Sequence, residues 1–167
     1  SSAASDVYKR QVVLCSSKDL KEWKFETVLA ANSTGKVGTM WECPDFFPLG
    51  DKHVLICSPQ NMKAEKYEFH NGNNSVYFLG NYDKNSHIFE KEEPHTIDYG
   101  LDFYAPQTTL LPDGRRVMIA WMKSWDACVV PDTQDWQGMM TLPRELEVKD
   151  GQIWQQPVRE IAQYHNC

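Results

Sequence analysis

Short apolar runs separated by turn residues set the pattern of this chain. Val12–Cys15 is a first run, and Ser16-Ser17-Lys18-Asp19-Leu20 turns out of it. Trp23–Leu29 follows, its first half alternating Trp, Phe and Thr against charge, the period of a half-buried strand. Asn32–Gly38 is a polar loop with two Gly. After Pro44 the pattern predicts a hairpin: Asp45–Leu49 leads in, Gly50-Asp51-Lys52 turns, and His53–Cys57 leads out around an apolar Val-Leu-Ile centre. Gln60–Asn74 is polar and ends in Asn71-Gly72-Asn73-Asn74, turn material. Ser75–Tyr82 reads as a strand, Asp83–Ser86 as a turn, and His87–Lys91 as the strand that pairs back.

The hairpin then recurs. Pro106–Leu111 leads in, Pro112-Asp113-Gly114 turns, and Arg116–Met122 leads out. Pro44 and Pro106 open the two hairpins 62 residues apart, and Val54 and Val117 open their apolar centres 63 apart. A recurring strand unit predicts an all-β repeat architecture. Ser124–Gly138 is a loop rich in Asp, Trp and Gln, and Thr141–Leu146 returns to strand. Glu147–Lys149 and Gln152–Trp154 flank Asp150-Gly151, a hairpin signal. Pro157 precedes Val158, Ile161 and Ala162 at helical spacing, so a helix is expected over Val158–Tyr164.

Composition narrows the classes. The chain has 167 residues, 41% hydrophobic and 24% charged, as expected of one globular domain or part of one. Its net charge of -6 argues against nucleic acid or an anionic membrane as partner. No apolar run reaches the ~20 residues that span a bilayer. Six Trp, seven Tyr and seven Phe suit either sugar stacking or a large β core. Cys15, Cys43, Cys57, Cys128 and Cys167 form no Cys-x-x-Cys pair and have no His at zinc-ligand spacing, so reduced thiols in a cytoplasmic protein and no metal are expected. Residues Ser1–Gln11 resemble the in-frame translation of a sequencing-library adapter and are left out of fold reasoning. A native start would then be missing, so a signal peptide is not excluded.

Candidate chemistry centres on Met40–Phe47, Met-Trp-Glu-Cys-Pro-Asp-Phe-Phe. Glu42 stands between Trp41 and Cys43-Pro44. Apolar neighbours disfavour a carboxylate's charged form, which suits a general acid. The other reading of Glu42 is a surface residue that happens to precede Pro.

Four ordered motifs carry a resemblance. They are Met40–Asp45, Asp98-Tyr99-Gly100 with Asp102–Thr108, Arg115-Arg116-Val117 with Trp121-Met122, and Leu142-Pro143-Arg144-Glu145-Leu146. Together they resemble glycoside hydrolase family 32, the β-fructosidases, over nearly all of Val12–Tyr164. The resemblance implies a five-bladed β-propeller followed by a β-sandwich, with this chain covering later blades only. Residues 12–156 would be partial propeller and 157–167 the start of a linker toward the sandwich.

The family's retaining mechanism uses an Asp nucleophile in Asn-Asp-Pro, a transition-state Asp in Arg-Asp-Pro, and an acid/base Glu in Glu-Cys-Pro. Only the last is present, as Glu42. A fragment of a β-fructofuranosidase, inactive alone, is the leading expectation. A fructosyltransferase of the same fold and a non-catalytic carbohydrate-binding propeller are the alternatives. The expected partner is a small sugar, namely sucrose, sucrose-6-phosphate or a fructan, with no cofactor. By resemblance Tyr104 tunes the acid/base, or is a buried core Tyr. Asp98 and Asp102 contact the leaving sugar, or form turns. Trp121 and Trp41 line the pocket, or pack the core. Arg144 pairs with a carboxylate between blades, and Cys43 packs beside Glu42 without acting as a nucleophile.

Overall fold

The computed structural model describes residues 2–6, 10–125, 133, 135–136 and 138–164. These form three antiparallel sheets in chain order, with one short 3-10 helix. The first sheet holds β1 (Ser2–Asp6), β2 (Gln11–Ser16) and β3 (Lys24–Ala31). The second holds β4 (Met40–Leu49), β5 (Lys52–Gln60), β6 (Val76–Asp83) and β7 (Ile88–Lys91), with the two-residue β8 (His95–Thr96) also paired to β6. The third holds β9 (Tyr104–Leu110), β10 (Arg116–Trp121), β11 (Arg144–Lys149) and β12 (Gln152–Pro157). These successive meanders, of three, five and four strands, are the blades of a partial propeller. The backbone of β1 pairs with β2, from Ser2 opposite Cys15 to Asp6 opposite Gln11.

Two apolar clusters bind the sheets to one another. Between the first and second lie Val12, Leu14 and Leu29 against Trp41, Leu55 and Phe78. Between the second and third lie Phe47, Val54 and Ile56 against Phe103, Met118 and Leu146. The middle sheet is covered on both faces, which is why β5 reads as a continuous apolar run and not an alternating one. The outer faces of the end sheets keep apolar residues: Val28 is 41% exposed on the first and Trp154 54% on the third.

Both expected hairpins form, but their lead-in strands start earlier than the prolines. β4 runs from Met40, with Trp41 opposite Pro59 and Glu42 opposite Ser58, before Asp45 pairs with Ile56. Cys43 and Pro44 together therefore face Cys57, the two-against-one count of a β-bulge. Cys43 takes the left-handed backbone conformation at φ 49°. The same device recurs in β9: Tyr104 pairs with Trp121 and Gln107 with Ile119, leaving Ala105 (φ 52°) and Pro106 to face Ala120. Proline has no N–H to give a ladder, and a bulge is where a strand tolerates that. So each proline marks a bulge inside a strand, not the strand's beginning.

Two further expectations change. The last segment forms a 3-10 helix, Arg159–Tyr164, with no buried residue, in place of an amphipathic α-helix. Six residues without a buried face are too few to sustain an α-helix. β11 begins at Arg144, whereas Thr141 uses its N–H and Oγ to bridge to the Ala120 backbone. The Asp150-Gly151 turn is as expected, both residues at positive φ (51° and 71°), as a two-residue hairpin needs.

An ion network ties the 3-10 helix to the third sheet. Arg115 reaches Asp113 at 2.7 Å, Glu145 at 2.7 Å and Glu160 at 2.6 Å. Hydrogen bonds from Arg115 hold all three carboxyls below their ordinary values. A depressed folded-state pKa stabilises above the unfolded pKa and is lost as pH falls through the folded one. Arg115→Met is therefore expected to be less stable than the parent near neutrality. The gap should close on acidification from about pH 6 to about pH 2, in urea titrations at each pH. A gap that stays constant would mean that Arg115 acts through packing alone.

Candidate active site

Glu42 and Tyr104 are equivalent residues of two neighbouring blades, and they meet. Each is the last paired residue before its bulge. β4 turns Trp41 toward the first sheet and Glu42 toward the third, since successive side chains take opposite faces. The bulge then resets parity, so that Phe46 packs with the Trp41 cluster and Phe47 with the opposite one. Tyr104 Oη donates to Glu42 Oε2 at 2.7 Å across the joint between blades. Its second neighbour is the Ser58 carbonyl oxygen at 3.3 Å.

More hydrogen bonds close this joint. The Ala105 N–H donates to Ser58 Oγ (3.2 Å), Gln107 Nε2 to the Cys43 carbonyl (3.1 Å), and the Thr108 N–H to Asp45 Oδ2 (2.7 Å). Backbone groups of both bulges, the Cys43 carbonyl and the Ala105 N–H, thus take part in joining the two blades.

An open cavity of about 370 Å³ lies in front of the pair, lined by Met40, Glu42, Cys43, Tyr104, Ala105, Trp121 and Trp125. Trp125 stands edge-on to Trp121 (5.6 Å between centroids) and to Tyr104 (6.4 Å), and is 63% exposed. A carboxyl group on an aromatic wall can, in its acid form, give a proton to a polar ligand whose apolar face rests on the rings.

Electrostatics separate the groups. Burial, then the adjacent Glu42 carboxylate, pushes the Tyr104 phenol well above its ordinary value, so Tyr104 acts as a hydrogen-bond donor. Burial, then Glu42, also raises the Cys43 thiol. A raised thiol is a poor nucleophile, which fits Cys43 as a packing residue. Burial raises the Asp45 carboxyl, against the opposing pull of Thr108 and of Arg116. Cys15, Cys43 and Cys57 are free thiols, whereas Cys128 and Cys167 lie outside the described residues. Among the described residues no His, Cys, Asp and Glu group has metal-binding geometry, and no helix is long and apolar enough to cross a membrane.

The structure gathers some of the expected site residues and not others. Glu42, Tyr104 and Trp121 share the cavity. Trp41 does not: it is 1% exposed, its Nε1–H donates to the Val37 carbonyl at 2.7 Å, and its ring packs on Phe78. These surroundings match the core-packing alternative for Trp41, which points to the opposite face from Glu42. Asp98 borders a different hollow, beside Glu68 and Tyr77. There it accepts from Arg144 Nη1 at 2.6 Å and from the Gly100 N–H at 2.7 Å. That is the pairing expected of Arg144, and it makes the Asp98 carboxylate an inter-blade tie. Asp102 is exposed on the approach to β9, outside the cavity. Sequence reasoning missed Trp125, Met40 and Ser58. The only signal for Trp125 was a second Trp four residues after Trp121.

The comparisons with known proteins agree with this geometry. A family model described as the glycosyl hydrolases family 32 N-terminal domain matches residues 2–157. A raffinose invertase of Escherichia coli is 44% identical over 151 residues, 90% of this chain and 32% of its own. A sucrose-6-phosphate hydrolase of Salmonella typhimurium is 42% identical over 166 residues, 95% of this chain and 36% of its own. A Bombyx mori GH32 β-fructofuranosidase structure superposes with a TM-score of 0.88 at 33% identity, covering 96% of this chain and 34% of that one. The chain spans about a third of the length of these relatives.

Proposed function

The chain belongs to glycoside hydrolase family 32, and from that premise we propose that it carries the acid/base part of a retaining β-fructofuranosidase active site. The observation that carries this reading is the Tyr104–Glu42 hydrogen bond of 2.7 Å at an open, aromatic cavity. Glu42 gives its proton to the oxygen that leaves fructose C2, since an unprotonated sugar alkoxide is a poor leaving group. The fructosyl group passes to an Asp nucleophile that this sequence does not contain. Glu42 then takes a proton from the water that releases fructose. Tyr104 holds the carboxylate, and Trp121 and Trp125 bear the sugar's apolar face. The substrate is sucrose or a close β-fructoside, as the names of the invertase and hydrolase relatives support. The three free thiols support a reducing, cytoplasmic setting.

The isolated chain is expected to release no hexose from sucrose, because a retaining pair needs its nucleophile about 5–5.5 Å from the acid/base. A chimera in which residues 12–157 replace the matching segment of the Escherichia coli raffinose invertase is expected to hydrolyse sucrose. A folded but inert chimera would overturn the reading. So would hydrolysis by the chain alone that disappears in Glu42→Gln.

A further inference from the structure

We propose that Ser58 is a positioning residue for Glu42, acting through Tyr104 across the joint between the second and third blades. The inference rests on the reading of Glu42 as acid/base. Ser58 is fully buried (0% exposed) and stands directly opposite Glu42 in the β4–β5 register. Its hydroxyl leaves its own blade to accept the Ala105 N–H at 3.2 Å. Its carbonyl oxygen lies 3.3 Å from Tyr104 Oη. Ser75 Oγ, also buried, shares a hydrogen bond of 3.2 Å with Ser58 Oγ.

The geometry explains why a hydroxyl is used there. Ala105 sits at φ 52°, a left-handed conformation that strains an L-residue and takes its N–H out of the regular ladder. That N–H needs an acceptor, and Ser58 Oγ serves as one. The Tyr104–Ala105 peptide sets where the Tyr104 side chain starts, and so where its phenol meets the carboxylate. At the equivalent place in the third blade, opposite Tyr104, stands Trp121, which has no hydroxyl. The repeated scaffold does not itself demand serine at this position; the contact with Ala105 does.

Removing the hydroxyl should let Tyr104 shift and leave Glu42 less well placed for proton donation. A misplacement near 1 Å costs up to about 100-fold in rate. The test compares two substrates in the chimera that carries residues 12–157 in the Escherichia coli raffinose invertase. Sucrose needs a protonated leaving group, whereas the nitrophenolate of 4-nitrophenyl β-D-fructofuranoside leaves without one. kcat/KM reports formation of the fructosyl-enzyme for both, and their ratio is independent of the fraction of protein folded.

Ser58→Ala is expected to lower kcat/KM for sucrose by about 10- to 100-fold and for the aryl fructoside by about threefold or less. Ser58→Cys, whose sulfur is a weak acceptor, should move the ratio the same way if the alanine variant does not fold. Ser58→Thr keeps the hydroxyl and should keep the ratio within about twofold of the parent. Equal losses on both substrates would overturn the proposal and leave Ser58 a packing residue. Glu42→Ala, measured alongside, separates the two readings. If it changes the ratio and Ser58→Ala does not, only the Ser58 role fails. If Glu42→Ala leaves the ratio unchanged, the acid/base reading itself fails.

Discussion

Glu42→Gln is expected to lower kcat/KM for sucrose by roughly 10²–10⁴-fold in the raffinose-invertase chimera, the range that a positioned general acid contributes. The amide has the carboxylate's shape and can still accept the Tyr104 hydrogen bond, 2.7 Å in the parent. It has no acidic proton to give. Glu42 is only half-buried at the cavity wall, so the substitution should leave the unfolding temperature within a degree or two of the parent. Loss of rate without loss of fold is therefore the expected pair of results, read by sucrose hydrolysis and by thermal unfolding of the same sample. A fall below about tenfold would remove Glu42 from the acid/base role.

Trp41→Ala is expected to do the reverse. Trp41 is 1% exposed, packs on Phe78 at 5.4 Å between centroids, and donates to the Val37 carbonyl at 2.7 Å. Truncating a buried Trp or Phe costs about 3–5 kcal/mol through lost burial and the cavity left behind. The Val37 carbonyl would also lose its indole donor, and Asn32 Nδ2, at 2.9 Å, would have to satisfy it alone. Urea unfolding should register this loss, while the KM for sucrose of the folded fraction stays near the parent's. A raised KM at unchanged stability would return Trp41 to the pocket wall. Two adjacent residues, Trp41 and Glu42, thus should separate cleanly into stability and rate.

That separation depends on which face of β4 each residue takes. Apolar runs and turn chemistry placed most strands and hairpins to within a few residues, because both signals are local. Asp150-Gly151 is an example: its two left-handed residues suit a two-residue turn whatever surrounds them. The 62-residue recurrence was also legible, and so was the motif around Glu42. The bulges were not. Pro44 and Pro106 were readable as strand boundaries, whereas pairing continues through both to Met40 and Tyr104. Nothing local distinguishes a proline that opens a strand from one that sits in a bulge; the partner strand decides.

The surroundings of the expected site residues were not legible for the same reason. Asp98 and Trp41 lie in motifs that resemble the family's as fully as Tyr104 does, yet Arg144 takes up the first and the apolar core the second. Ser58 drew no notice, because a serine at the end of an apolar strand has no pattern of its own. By itself the sequence determined the all-β class, the repeated blade, the family and the carboxylate. Only the tertiary structure decided that Glu42 meets Tyr104, that Trp41 turns away, and that Ser58 spans the joint. Those contacts join residues 46 to 62 positions apart in different sheets. Their geometry follows from how the sheets stack and where each bulge resets the parity of its strand, and no run of neighbouring residues encodes it.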